Sequence, residues 1–228
     1  MGRLIDLKTK RRRSRKWLFV LAITLATSGS VYVFALITLA GGRETLAIQG
    51  ATQQTPAAKT EQTPAHKYFT DVELVNQNGQ KMRFYSDLLQ GKVVIIDSFF
   101  ATCQGSCLPM NRNLEKVQQA LGDRIGKDVN IISISVDPNV DTPAQLKEYA
   151  KKLNARPGWY FLTGEKQNVD FALNRLGQFV TDKQDHLNIF IIGNERTGLW
   201  KKAFGLARSD EIVKVVESVI NDKPETDR

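Results

Sequence analysis

The stretch DSFFATCQGSCLPM, residues 97–110, contains Cys103 and Cys107, the two cysteines of this 228-residue chain. It begins inside KVVIIDSFF (92–100), a β-branched apolar run of strand length that reads as a buried central strand. It leads into PMNRNLEKVQQALG (109–122), where Met110, Leu114, Val117 and Leu121 recur at helical spacing before Gly122. The thiols therefore fall between the end of a strand and the start of a helix. In a parallel α/β sheet that is the carboxyl edge, where ligand sites form. The positive end of a helix also favours negative charge, so both thiols are expected to shift toward thiolate.

Spacing limits what the pair can do. On a regular helix, positions four apart place their Cβ atoms about 5–6 Å from each other, whereas a disulfide needs about 3.5–4.5 Å. Closure requires the loop to leave the helix, which Gly105 and Ser106 make cheap. An open pair can instead hold one metal ion between two sulfurs, and then requires a third ligand.

Outward from this loop, FTDVELVNQNGQKMRFYSD (69–87) reads as two short strands around the Asn78-Gly79 turn. A second buried strand covers DVNIISISV (128–136). Asp141 or Thr142 caps a helix with Pro143 in its first turn. GWYFLTG (158–164) is a strand, and KQNVDFALNRLG (166–177) is a helix with Val169, Leu173 and Leu176 inward. HLNIFIIGN (186–194) and GLWKKAFG (198–205) form a hairpin, and SDEIVKVVESVI (209–220) is a closing helix capped by Ser209. Strands alternating with helices, then a terminal hairpin, imply an α/β fold with a mixed sheet and flanking helices, for which the thioredoxin-like arrangement is the common solution.

The chain is net +8, but residues 1–16 carry eight Lys or Arg against Asp6, which leaves the other 212 residues near +1. A nucleic-acid footprint on the folded part is thereby disfavoured. Residues 17–42 contain no charged side chain, and 26 residues at about 1.5 Å rise span a hydrocarbon core of roughly 30 Å. This is longer than the apolar part of a cleaved signal peptide, so the expectation is one N-terminal transmembrane helix behind a basic cytoplasmic tail (1–16). Residues 43–67, rich in Thr, Gln, Ala and Pro, read as a flexible linker in which His66 is solvated. The folded domain is expected at 68–222. The orientation places it in the periplasm at a bacterial inner membrane, or in the intermembrane space as the mitochondrial equivalent.

His66 and His186 are the two histidines available as a third ligand. His186 precedes a core strand, beside Asp185, a carboxylate able to orient its ring. A histidine before a strand is as readily an ordinary surface residue, and the residues alone leave both readings open. Two thiolates with one imidazole form a soft, three-donor set that favours Cu(I) over structural zinc. Trp159, Tyr160 and Phe161 read as packing, Asp137 and Asp141 as caps, and Lys201, Lys202 and Arg208 as solvated surface.

The cysteine loop, ISVDP (134–138) with DTPAQLKEY (141–149), GWYFLTG (158–164) and Asp185-His186 together resemble the SCO1/SenC family of copper proteins that help assemble cytochrome c oxidase. The resemblance implies a thioredoxin-like domain and a copper site of Cys103, Cys107 and His186, loaded with Cu(I) and also able to take Cu(II). It further implies that a membrane-anchored metallochaperone delivers copper to the binuclear copper centre of the oxidase, with reduction of that centre's cysteines by a redox-active Cys103 and Cys107 pair as the alternative. The chain departs from the family pattern at Gln104 and Leu108, where prolines are usual, and at Gly105 and Ser106, which replace an acidic residue in the loop. No ligand is removed.

Three other readings compete. A general thioredoxin activity expects two residues between the cysteines and a proline before the facing strand; here there are three, and no proline between Gly158 and Lys223. A peroxiredoxin expects proline and threonine spaced ahead of the reactive cysteine, where this chain has SFFATC. A structural disulfide in a tethered interaction domain fits an oxidising compartment but leaves the loop position without a role.

Overall fold

The computed structural model describes residues 63–223. The basic tail, the apolar run and the linker as far as residue 62 lie outside the described residues, and no helix among the described residues is long and apolar enough to cross a membrane. The first element is a short helix, α1 (Pro64–Phe69), followed by the hairpin β1 (Glu73–Asn76) and β2 (Lys81–Arg83) and a π-helical turn at Phe84–Leu89. Then come β3 (Val93–Phe99), α2 (Cys107–Leu121), β4 (Val129–Ser135), α3 (Pro143–Lys152), β5 (Trp159–Thr163) and α4 (Lys166–Leu176). A 3-10 turn at Lys183–Asp185 leads to β6 (Ile189–Asn194), β7 (Leu199–Phe204) and α5 (Ser209–Ile220).

The strands form one sheet in the order β2-β1-β5-β4-β3-β6-β7. β3, β4 and β5 are parallel, while β1, β6 and β7 join antiparallel. This is the thioredoxin-like arrangement expected from the element order. The apolar runs are buried on both faces because alternate side chains feed two cores. Val93, Ile95 and Phe99 pack with Met110, Leu114 and Val117 of α2 and with Ile212 and Val216 of α5. Val94 and Ile96 face Val169, Leu173 and Leu176 of α4 and Phe69 of α1. Truncating any one of these fully buried Leu or Ile side chains to Ala costs about 2–5 kcal/mol.

Local chemistry sets the turns. Gly79, at φ 76°, supplies the left-handed residue of the β1–β2 hairpin. Thr142 caps α3 in a full capping box with Gln145, ahead of Pro143. Asp141, the other candidate cap, is instead buried.

Two boundaries differ from expectation. Residues 64–67 belong to α1 rather than to a linker. His66, read as solvated, is half-buried: it stacks on Tyr85 with ring centroids 4.7 Å apart, and its Nε2 lies 3.1 Å from Asp71 Oδ2. A single helical turn has too few residues to show a period, which is why it was invisible in the sequence. Ser209 is the first residue of α5 and not its cap; Arg208 holds that position without a side-chain hydrogen bond.

Candidate metal centre

β3 delivers Phe99 and Phe100, both buried, to the sheet edge, and Cys103 follows in a turn closed by its N–H donating to Phe100 O at 3.1 Å. α2 starts at Cys107, the last residue of the CxxxC motif, so the loop between the thiols is not helical. Cys107 is fully buried and Cys103 half-buried, and both are free thiols.

Antiparallel pairing decides the fate of His186. Val93 lies opposite Asn194 and Ile96 opposite Ile191, so the chain entering β6 does so beside the end of β3. His186, at the end of the 3-10 turn, thus reaches the cysteine loop and is buried there. Its Nε2 lies 3.1 Å from Cys107 Sγ and 3.9 Å from Cys103 Sγ. All three donor atoms fall within 4.8 Å of one another. They are the one group of three His, Cys or carboxylate side chains among the described residues able to hold a metal ion. His66 is not part of it.

Two electrostatic expectations change. Burial, reinforced by the Cys107 thiol donating to Cys103, pushes the Cys107 thiol up, against the shift toward thiolate expected of a helix N-terminus. Desolvation outweighs the helix dipole because the dipole is worth at most about 2 kcal/mol, whereas burying a group that must carry charge shifts its pKa by up to about 3–5 units. Burial also lowers the pKa of His186, opposed in part by the Leu187 backbone, and so keeps the imidazole neutral with a free lone pair. Asp185 does not orient the ring: His186 Nδ1 is buried with no partner in hydrogen-bond geometry. The metal-site fit rests on the donor set itself, two sulfurs and one neutral nitrogen converging on a common point.

The surroundings include residues that the sequence reading had set aside. Asp141 Oδ2 accepts from Ala101 N–H at 3.0 Å and from Ser135 Oγ at 2.6 Å, tying the start of the cysteine loop to β4. Asp137 Oδ2 pairs with Lys183 Nζ at 2.6 Å. Asn111 donates to Cys107 O and to Tyr149 OH, at 3.1 and 3.3 Å, bracing the first turn of α2 against α3. Beneath the site Asp97, fully buried on β3, accepts from Ser133 Oγ at 2.5 Å, and burial pushes its carboxyl up to about 7. Asp137 and Asp141 had a sequence signal, their place near a helix start, and that signal pointed to caps.

The SCO1/SenC family model matches residues 60–221. The chain belongs to the SCO1/SenC family. A SCO1 protein homolog of Bacillus subtilis (strain 168) is 39% identical over 102 residues, which cover 43% of this chain and 51% of the homolog. The chain thus spans about half the length of the curated SCO1/SenC relatives it matches. Among solved structures, BsSco, characterised by a disulfide switch and belonging to the Sco family of cytochrome c oxidase assembly proteins, is 30% identical with a TM-score of 0.55, covering 66% of this chain and 92% of that one. Yeast Sco1 with copper bound is 25% identical with a TM-score of 0.56, covering 69% and 95%. For this SCO1/SenC member, the three converging donors fall where the cysteine loop meets the entry to β6.

Proposed function

We propose that this protein binds copper through Cys103 Sγ, Cys107 Sγ and His186 Nε2 and delivers it to the binuclear copper centre of cytochrome c oxidase during assembly. The observation that carries this reading is the convergence of those three donors within 4.8 Å from two segments some 80 residues apart. Two sulfurs and one imidazole suit Cu(I), and three donors fall short of the closed shell of structural zinc. The copper-bound yeast Sco1 supports the same choice.

Exposure suggests how cargo leaves. Cys107 and His186 are buried, whereas Cys103 is half-exposed. An acceptor thiolate therefore reaches the metal on the Cys103 side, and exchange proceeds ligand by ligand without a change in oxidation state. Each cysteine loses a proton on loading and regains it on release. The raised pKa of Cys107 favours that return. The apolar run at 17–42 supports a single-pass anchor, with the domain on the periplasmic side of an inner membrane where the oxidase is assembled.

A second reading uses the same pair as a dithiol. The two free sulfurs lie close enough for a modest loop movement to join them. Their oxidation would release two electrons and two protons to an acceptor disulfide, which is reduced to two thiols.

One experiment separates the readings. The Cu(I)-loaded chain is mixed without oxygen with the soluble copper domain of the oxidase subunit, its cysteines already reduced. Copper transfer to the acceptor is the expected result. If no copper moves, yet the metal-free reduced chain converts the acceptor's disulfide to thiols, the reductase reading replaces the chaperone.

A further inference from the structure

Between the end of α4 at Leu176 and the start of β6 at Ile189, the single 3-10 turn Lys183–Asp185 is the one regular element. This segment carries His186, so something other than a ladder must hold the ring in place. At its two ends the segment is tied down. Gln178 accepts from Ser98 Oγ at 3.1 Å, and Asn188 O accepts from Gly205 N–H at 2.8 Å.

In between, polar tethers are scarce. The hydrogen bonds of Gln184, Asp185 and His186 backbone N–H groups stay inside the turn. Apart from the approach of His186 to the two cysteines, residues 179–187 make one polar contact with another segment among the described residues. That contact is Lys183 Nζ to Asp137 Oδ2, at 2.6 Å. Lys183 Nζ also sits 5.1 Å from the centroid of the Phe100 ring, and that ring packs T-shaped with His186, centroid to centroid 5.7 Å at 82°. Asp137 is itself fixed, because its N–H donates to Ser135 Oγ at 3.0 Å. A single part-buried ion pair of this kind adds only modestly to global stability, so its main consequence is geometric.

We infer that Lys183 is a positioning residue for His186: its ion pair with Asp137, seated on Phe100, latches the turn so that Nε2 faces the two sulfurs. Released from Asp137, the turn keeps its backbone but loses its tether, and the imidazole samples orientations that miss the cysteines. Metal affinity then falls through the fraction of chains with the ring in place. The inference rests on the three-donor reading of the site.

The test is Cu(I) affinity of the full, reduced chain under anaerobic conditions, by competition with a chromogenic Cu(I) chelator. The variants are Lys183→Ala, Lys183→Arg, Asp137→Asn, His186→Ala and the double variant His186→Ala with Lys183→Ala. Losing the latch is expected to weaken Cu(I) binding about 10-fold, the lower end of the range for residues that support metal ligands. Lys183→Arg restores it, and thermal unfolding moves little in any of the latch variants. In the His186→Ala background the Lys183→Ala change has no further effect, because there is no ring left to position. A merely structural role would weaken binding equally in both backgrounds, and that result overturns the inference. So does unchanged affinity in Lys183→Ala where His186→Ala weakens binding. If His186→Ala itself leaves affinity unchanged, the three-donor reading fails, and the latch with it.

Discussion

Cys107 Sγ lies 3.1 Å from His186 Nε2 although 79 residues separate them in the chain. The contact exists because β6 runs antiparallel to β3 and so begins at the edge where β3 ends. It joins a helix start to the entrance of a strand, two segments with no pairing of their own. What happens at this contact when either partner changes is the basis of the following expectations.

Oxidation and metal loading are mutually exclusive on this geometry. The two sulfurs lie within 4.8 Å of one another and of Nε2, and a disulfide would draw them to about 2.05 Å and consume both donors. A chain oxidised to the Cys103 and Cys107 disulfide, verified by resistance to thiol alkylation, is expected to bind no copper. Treatment with a reductant should return stoichiometric binding.

Asp141 supports the cysteine loop from below. Replacement by Ala leaves the Ala101 N–H and the Ser135 hydroxyl without their acceptor, at a cost of about 1–3 kcal/mol for buried groups left unpaired. A lower urea midpoint with an unchanged slope is the expected signature. Weakened metal binding should accompany it, because Ala101 leads directly into the loop.

Asp97 makes stability depend on pH. Burial raises its carboxyl from 3.8 to about 7 in the folded protein, so the folded state holds the proton more tightly than the unfolded one. That contribution is fully present below about pH 4 and is lost as pH rises through about 7, a change of order 4 kcal/mol at most. Asp97→Asn cannot ionise and escapes the loss. Urea denaturation should find the variant gaining on the wild type between pH 5 and pH 8, and an equal offset at both pH values would contradict the assignment.

Legibility followed periodicity. The runs at 92–100 and 128–136 and the Met110, Leu114, Val117, Leu121 spacing announce β3, β4 and α2 because burial on both faces or along one stripe imposes a repeat. The Asn78-Gly79 turn was legible for a different reason, since few dipeptides accept positive φ. The cysteine half of the site was visible in one stretch, but His186 was not decided by its neighbours. Its place depends on which strand pairs with β3, a long-range choice that leaves no local mark. The same holds for Asp137 with Lys183, 46 residues apart. The pairing of His66 with Asp71 was hidden for the opposite reason, a helix too short to show a period. Asp185, the obvious neighbour, does not reach the ring, and His186 Nδ1 has no partner in its place.

The most direct test of the three-donor site is copper X-ray absorption on the reduced, Cu(I)-loaded chain beside His186→Ala. The account predicts two sulfur scatterers and one imidazole nitrogen in the wild type, with the nitrogen lost in the variant. A sulfur-only site, or an imidazole signal that survives the His186→Ala change, would contradict it.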